Sequence, residues 1–343
     1  MLDGPPCPRQ RARGNSLPET GSTIRKACMF DSSLLPAALG WASHDVIDES
    51  TRWWLAWSFD PQFLGPLGLV AFWYARGLRR WPARTREHSP WRTASYYAGL
   101  TVLALSFESP LDRLGEHQFS MHMVQHNIVM MIVPPLILLG APTTPMLRGM
   151  PRWLRQGVVR RVVGSRVARR VFRFVTFPVV TIAVFTVFQW GWHMLPGWYD
   201  RALNDDVVHN LQHASFLAVA MLFWWNVIDP KPLHSRIPVL ARILYFYGAM
   251  VPKHVLSAFI VFADKPFYPT YERVYRFLPG TPLEDQQLAG LLMWVPFGEL
   301  LNLITVGIIL GFWFRRGNAE QRAKEEAEDA MLAAARSAAS GSA

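Results

Sequence analysis

Two pairs of histidines stand four residues apart, His122 with His126 and His209 with His213. On a helix that spacing puts both imidazoles on one face, about a turn apart, where they can share one metal ion. Single pairs of this kind also occur in helices that bind nothing, so the positions of the two pairs relative to each other carry the argument. His193 closes a Gly-Trp-His-Met stretch and offers a fifth imidazole, while Met121, Met123, Met130, Met131, Met194 and Met293 lie in the same regions. Imidazoles with thioethers suit Cu(I) better than Zn(II) or Fe(II), whereas carboxylate-rich sites point to iron or manganese; methionine is also a common gap filler. Asp285 can either orient a ligand imidazole through its second nitrogen or cap a helix.

These residues lie in apolar runs. The chain has 343 residues, 51% of them hydrophobic, with 15 Trp and 21 Phe. About 18 to 20 apolar residues cross the hydrocarbon of a bilayer as helix. Runs at 62–79, 94–108, 117–140, 171–193, 207–228, 239–263 and 286–314 predict an all-α polytopic bundle of about seven transmembrane helices. The shortest, 94–108, carries Tyr96, Tyr97, Ser106 and Glu108. Three parts follow: an N-terminal segment 1–60 with its first 28 residues disordered, a membrane domain 61–315, and a charged cytoplasmic tail 316–343. Met29 opens the more protein-like sequence and is the alternative start to Met1. The first 28 residues lack the apolar stretch of a signal peptide.

Basic residues between spans favour the cytoplasmic side. Six occur from Arg76 to Arg92, nine from Arg148 to Arg173, three from Lys231 to Arg242 and five after residue 314. The alternate links hold only Arg113, then Arg201, then Lys265, Arg273 and Arg276. The N-terminus is therefore expected outside and the C-terminus in the cytoplasm. The net charge of +10 reflects these links rather than a nucleic-acid surface, so no nucleic-acid partner is expected. Residues 151–170 read as a basic amphipathic helix on an anionic inner leaflet.

That topology brings the histidines to one level. His122 and His126 on the third span, His193 at the end of the fourth, and His209 and His213 on the fifth all fall toward the outer face. His117 is expected to begin the third span and His254 to lie in the outer half of the sixth; His88 and His234 fall on the opposite side. Imidazoles inside a bilayer are costly and point to a functional site in the bundle interior, with hydrogen bonding between helices as the structural alternative. Pro134-Pro135 should kink or open the third span below its pair. Ala289-Gly290 should let a neighbouring helix come close. Lys253, His254 and Glu299 offer an ion pair or proton path on which no mechanism is built. The only cysteines, Cys7 and Cys28, cannot form a thiolate site of the CxxC type.

The stretch Phe119-Ser-Met-His122-Met-Val-Gln125-His126, followed by Val133-Pro-Pro-Leu-Ile-Leu-Leu-Gly140-Ala-Pro142, resembles the signature of the multi-span CtaG family of cytochrome c oxidase assembly factors. Trp192-His193, His209 through His213, and Asp285-Gln-Gln-Leu-Ala-Gly-Leu-Leu-Met-Trp294 resemble its later motifs in the same order, over roughly residues 60 to 315. The resemblance implies a multi-pass protein of the bacterial plasma membrane that helps assemble a haem-copper oxidase. It further implies a copper role, with an oxidase subunit as client and a soluble copper donor as a possible partner. On this reading His122, His126, His193, His209 and His213 hold copper as Cu(I), with Asp285, Gln125 and Met293 beside the ligands, and the protein is not an enzyme. The alternatives are a haem- or quinone-binding redox protein, with imidazoles as axial ligands, and a metal-free scaffold for subunit insertion. A membrane metal hydrolase or hydroxylase is disfavoured, since the sequence has no HExxH.

Overall fold

Prolines and small polar residues mark most helix starts in this chain. A computed structural model describes residues 53–81, 88–230, 235, 237–311, 313–315 and 331. Cys7, Cys28, Met29, His234 and nearly all of the tail expected at 316–343 lie outside the described residues, which are helical and contain no strand. After a short 3-10 turn at Trp53–Leu55, α1 (Pro61–Arg79) begins at Asp60, whose carboxylate accepts from the Gln62 amide at 2.8 Å. Proline at the first helical position costs no hydrogen bond, and α2 (Pro90–Glu108) and α3 (Pro110–His117) start the same way. Next come α4 (Phe119–Leu139), α5 (Thr143–Gly149), α6 (Arg160–Gly164) and α7 (Arg166–Val175). The chain continues through α8 (Pro178–Met194), α9 (Trp198–Asn204), α10 (Asp206–Ile228), α11 (Ala241–Val261), α12 (Thr270–Arg273) and α13 (Pro282–Arg315).

The expected seven spans are corrected by this structure. Four described helices are long and apolar enough to cross a membrane: α4, α10, α11 and α13. A fifth is added only if α7 and α8 count as one span. The reason lies in composition. Helices form at 62–79 and 94–108 as expected, but α1 ends in Arg76 and Arg79, and α2 carries Arg92, Ser95, Tyr96, Tyr97, Ser106 and Glu108. The expected span 171–193 is also two helices, bent by 71°. Phe177 is extended because it precedes Pro178, which disfavours helical backbone at the residue before it. Nor is 151–170 one helix: it breaks at Ser165, whose side chain caps α7.

His117 is displaced from its expected place as well. Gln118 is extended and separates α3 from α4, so His117 ends α3 rather than opening a span, and its Nδ1 lies 3.0 Å from the Tyr275 carbonyl. Asp285 then does for α4 what neither earlier reading proposed. Its carboxylate accepts from the Phe119 amide at 2.8 Å and from the Ser120 hydroxyl, so α13 caps the start of the helix that carries His122 and His126. The start of α13 itself is capped by Thr281 and Glu284 in a reciprocal box.

Breaks inside the spans are satisfied by neighbours. Pro134 has no amide to give to the Met130 carbonyl four residues before it, and residues Ile128–Ile132 form a π-helical turn. The orphaned Met130 carbonyl accepts instead from Trp224 Nε1 on α10 at 3.0 Å. A second π-helical turn at Val295–Leu300 in α13 is met from α11, where the buried Lys253 donates to the Met293 and Phe297 carbonyls at 2.8 and 3.0 Å. Lys253 is thus a staple for broken backbone, while His254 Nδ1 lies 3.4 Å from Glu299. The close approach expected at Ala289-Gly290 is present: a Cβ on Gly290 would lie 3.0 Å from the Val261 amide nitrogen of α11. The largest core cluster joins α4, α8, α10 and α11 through Met131, Phe185, Phe216, Phe223 and Phe246.

Candidate metal centre

Three helices bring five imidazoles together. The inward face of α4 supplies His122 and His126, whose Nε2 atoms are 2.8 Å apart; α10 supplies His209 and His213, with Nε2 atoms 2.7 Å apart. The two pairs meet directly. The His122 ring lies 5.5 Å from that of His213, nearly parallel, and 5.3 Å from that of His209, while His126 lies 4.6 Å from His213 edge to face. One ring nitrogen from each of His122, His209 and His213 falls within 4.8 Å of the others. His193, at the end of α8, sits one ring further out, 6.2 Å from His126. His122, His126, His193 and His213 are buried, and His209 is partly exposed.

Hydrogen bonds assign the protons. Tyr271 Oη donates to the Gly115 carbonyl at 2.9 Å, and a carbonyl can only accept. The phenol has one proton, and burial, reinforced by the nearby Asp285 charge, pushes its pKa well up, so it stays neutral. Toward His122 it must therefore accept, at 3.0 Å, which places a proton on His122 Nδ1 and leaves Nε2 as an acceptor. His126 then donates through Nε2, and its Nδ1 is buried with no hydrogen-bond partner. His193 donates Nδ1–H to the Gln189 carbonyl of its own helix at 2.7 Å, so its Nε2 is likewise a buried lone pair without a partner. His213 Nδ1 is also buried and unpartnered. A buried polar atom left unpaired costs about 1 to 3 kcal/mol. Ring nitrogens of His122, His209 and His213 lie within 4.8 Å of one another, a spacing that fits a cation, and His126 and His193 adjoin them.

The remaining residues expected at the site hold it from outside. Gln125 donates to the Ser106 carbonyl at 2.7 Å and to Asp112 at 2.6 Å, which ties α4 to α2 and α3. The neighbour of Ser106, Phe107, lies edge-on to His213 at 4.9 Å. Met293, Met123 and Phe119 pack with Tyr199, Tyr268 and Tyr271 in an apolar layer beside the cluster. Met130 and Met131 belong to the main core. Tyr271, which fixes the His122 tautomer, was not legible in the sequence. It sits in the short helix α12, more than a hundred residues from His122, and a lone tyrosine in a single helical turn has no spacing signal.

The described residues are helical, with four helices long and apolar enough to cross a membrane and a histidine cluster between three of the helices, as in a multi-span membrane protein. Residues 72–316 match the family model Caa3_CtaG, cytochrome c oxidase caa3 assembly factor, and the chain belongs to that family. Among curated proteins it is similar to uncharacterized proteins of Mycobacterium bovis and Mycobacterium tuberculosis, each 26% identical over 265 residues. That match takes in 76% of this chain and 40% of each relative. An uncharacterized protein of Mycobacterium leprae is 24% identical over 269 residues, 77% of this chain and 40% of its own length. The chain thus spans well under half the length of the relatives it matches. No solved structure matches it.

Proposed function

We propose that this protein carries copper for the assembly of a haem-copper oxidase, holding Cu(I) transiently at His122, His126, His209 and His213, with His193 adjoining. The observation that carries the reading is the meeting of the two His pairs with buried, unpartnered nitrogens among them. A neutral all-imidazole set without carboxylates favours a soft or borderline ion over magnesium, calcium or manganese. Copper bound there is cargo. What the chain supplies is a dry pocket, tautomers fixed by the Tyr271 hydroxyl and the Gln189 carbonyl, and rings locked by Phe107 and Phe216. Nothing in this role needs a nucleophile or a general base, so the protein acts as a carrier and not as an enzyme.

The setting follows from the same reading. The client is an oxidase subunit in the bacterial plasma membrane, the cluster opens to the outer side, and a soluble donor can load it. The C-terminus is cytoplasmic, and the arginines of α6 and α7 lie on the anionic inner leaflet. Those helices bury none of their residues, and the bend at Phe177 turns α7 away from the axis of α8. In cells whose only copy carries His209→Ala and His213→Ala, oxidase should form with haem but without its full copper, and added copper should partly restore it. Fully metallated oxidase in those cells would contradict a copper role and favour a metal-free scaffold.

A further inference from the structure

A cleft opens beside His193 at the edge of the histidine cluster. Where α8 ends, a cleft of about 230 Å3 is lined by His193, Met194, Leu195, Tyr199, Asp200 and Tyr268, among others. Its two lips come from different loops. One is the Met194 to Asp200 turn, where Gly197 takes the left-handed backbone (φ 72°) that the start of α9 requires. The other is the Phe267–Thr270 segment. They are latched together: Asp200 accepts from the Thr270 amide and hydroxyl at 3.2 and 2.8 Å, and Tyr268 Oη donates to the His193 carbonyl at 3.2 Å.

We propose that this cleft is the route by which Cu(I) reaches and leaves the cluster, with His193 as the hand-over ligand between them. The inference rests on the copper reading and adds the path and the residue that controls it. His193 is the one imidazole that lines the cleft, and it is also the neighbour of His126, with ring centroids 6.2 Å apart. Its Nε2 is buried and unpartnered, as is His126 Nδ1, so each of these neighbouring rings keeps a nitrogen without a hydrogen bond. The mouth offers a soft ligand too, the thioether of Met194. A second cavity nearby, lined by Phe119, Tyr268 and Tyr271, is about 10 Å3. That is room for no more than one water, about 10 to 15 Å3, and not for an ion changing ligands.

A hand-over ligand affects rates in both directions and leaves the equilibrium nearly alone, because it is not among the groups that hold the ion at rest. The experiment uses the full chain in detergent, loaded from the Cu(I)–bicinchoninate complex and stripped by excess bathocuproine disulfonate, followed by stopped flow. His193→Ala and Leu195→Trp are compared with the unsubstituted protein; Leu195 is 48% exposed, so its replacement obstructs the mouth without touching the core. Both variants should load and strip about tenfold more slowly, with equilibrium affinity within about threefold of the unsubstituted protein. Unchanged rates in both variants, with copper still bound, would overturn the route and leave the copper reading standing. A loss of affinity in His193→Ala as large as in His209→Ala/His213→Ala would make His193 a resting ligand and overturn the hand-over. No copper in the unsubstituted protein would overturn the copper reading and the route together.

Discussion

At the scale of single residues, the cluster depends on groups outside its own imidazoles. Tyr271 accepts from His122 Nδ1 only because its own proton goes to the Gly115 carbonyl. Tyr271→Phe removes that acceptor and leaves His122 Nδ1–H buried and unpaired, freeing the ring to adopt the other tautomer. Loss of such an outer partner typically weakens metal binding by about 10- to 100-fold. Competition titration of Tyr271→Phe should show a drop in Cu(I) affinity of that order with helix content unchanged; full affinity would show that the Tyr271 contact has no part in holding the ion. Asp285 acts differently. It is far along the chain from the histidines and was read from sequence as an imidazole partner or a cap. The structure makes it a cap, but of another helix, a role that only the packing of α13 on α4 creates.

At the scale of elements, backbone breaks are matched by donors on neighbouring helices. Trp224 Nε1 serves the Met130 carbonyl that Pro134 leaves orphaned, and Lys253 serves the π-helical turn of α13. Trp224→Phe should therefore lower stability by about 1 to 2 kcal/mol, seen as a lower thermal midpoint in detergent. In a Pro134→Ala background residue 134 regains an amide to donate to Met130, so the same Trp224 change should cost less. Equal losses in both backgrounds would show that packing of the indole, and not the carbonyl, is what matters. The proline pair was legible in the sequence as a disturbance of the third span. The partner that repairs it was not, because Trp224 is one of 15 tryptophans and its role exists only once α10 lies against α4.

At the scale of the whole molecule, each His pair was legible because a spacing of four fixes a shared helix face, which is local periodicity that tertiary packing does not alter; that the two pairs meet is seen only in the packing of α4 on α10. The number of spans was less legible. Apolar windows at 62–79 and 94–108 do form helices, but their arginines and hydroxyl groups leave them short of a membrane-crossing composition, and Pro178 turns 171–193 into a bent pair. The cluster survives that correction because its histidines come from α4, α10 and the end of α8. The most direct test is the copper content and Cu(I) affinity of the purified protein beside His122→Ala/His126→Ala and His209→Ala/His213→Ala. About one copper per chain, lost in each double variant with helix content intact, is the expected result for one shared site. No copper in the unsubstituted protein, or copper retained in both variants, would contradict it.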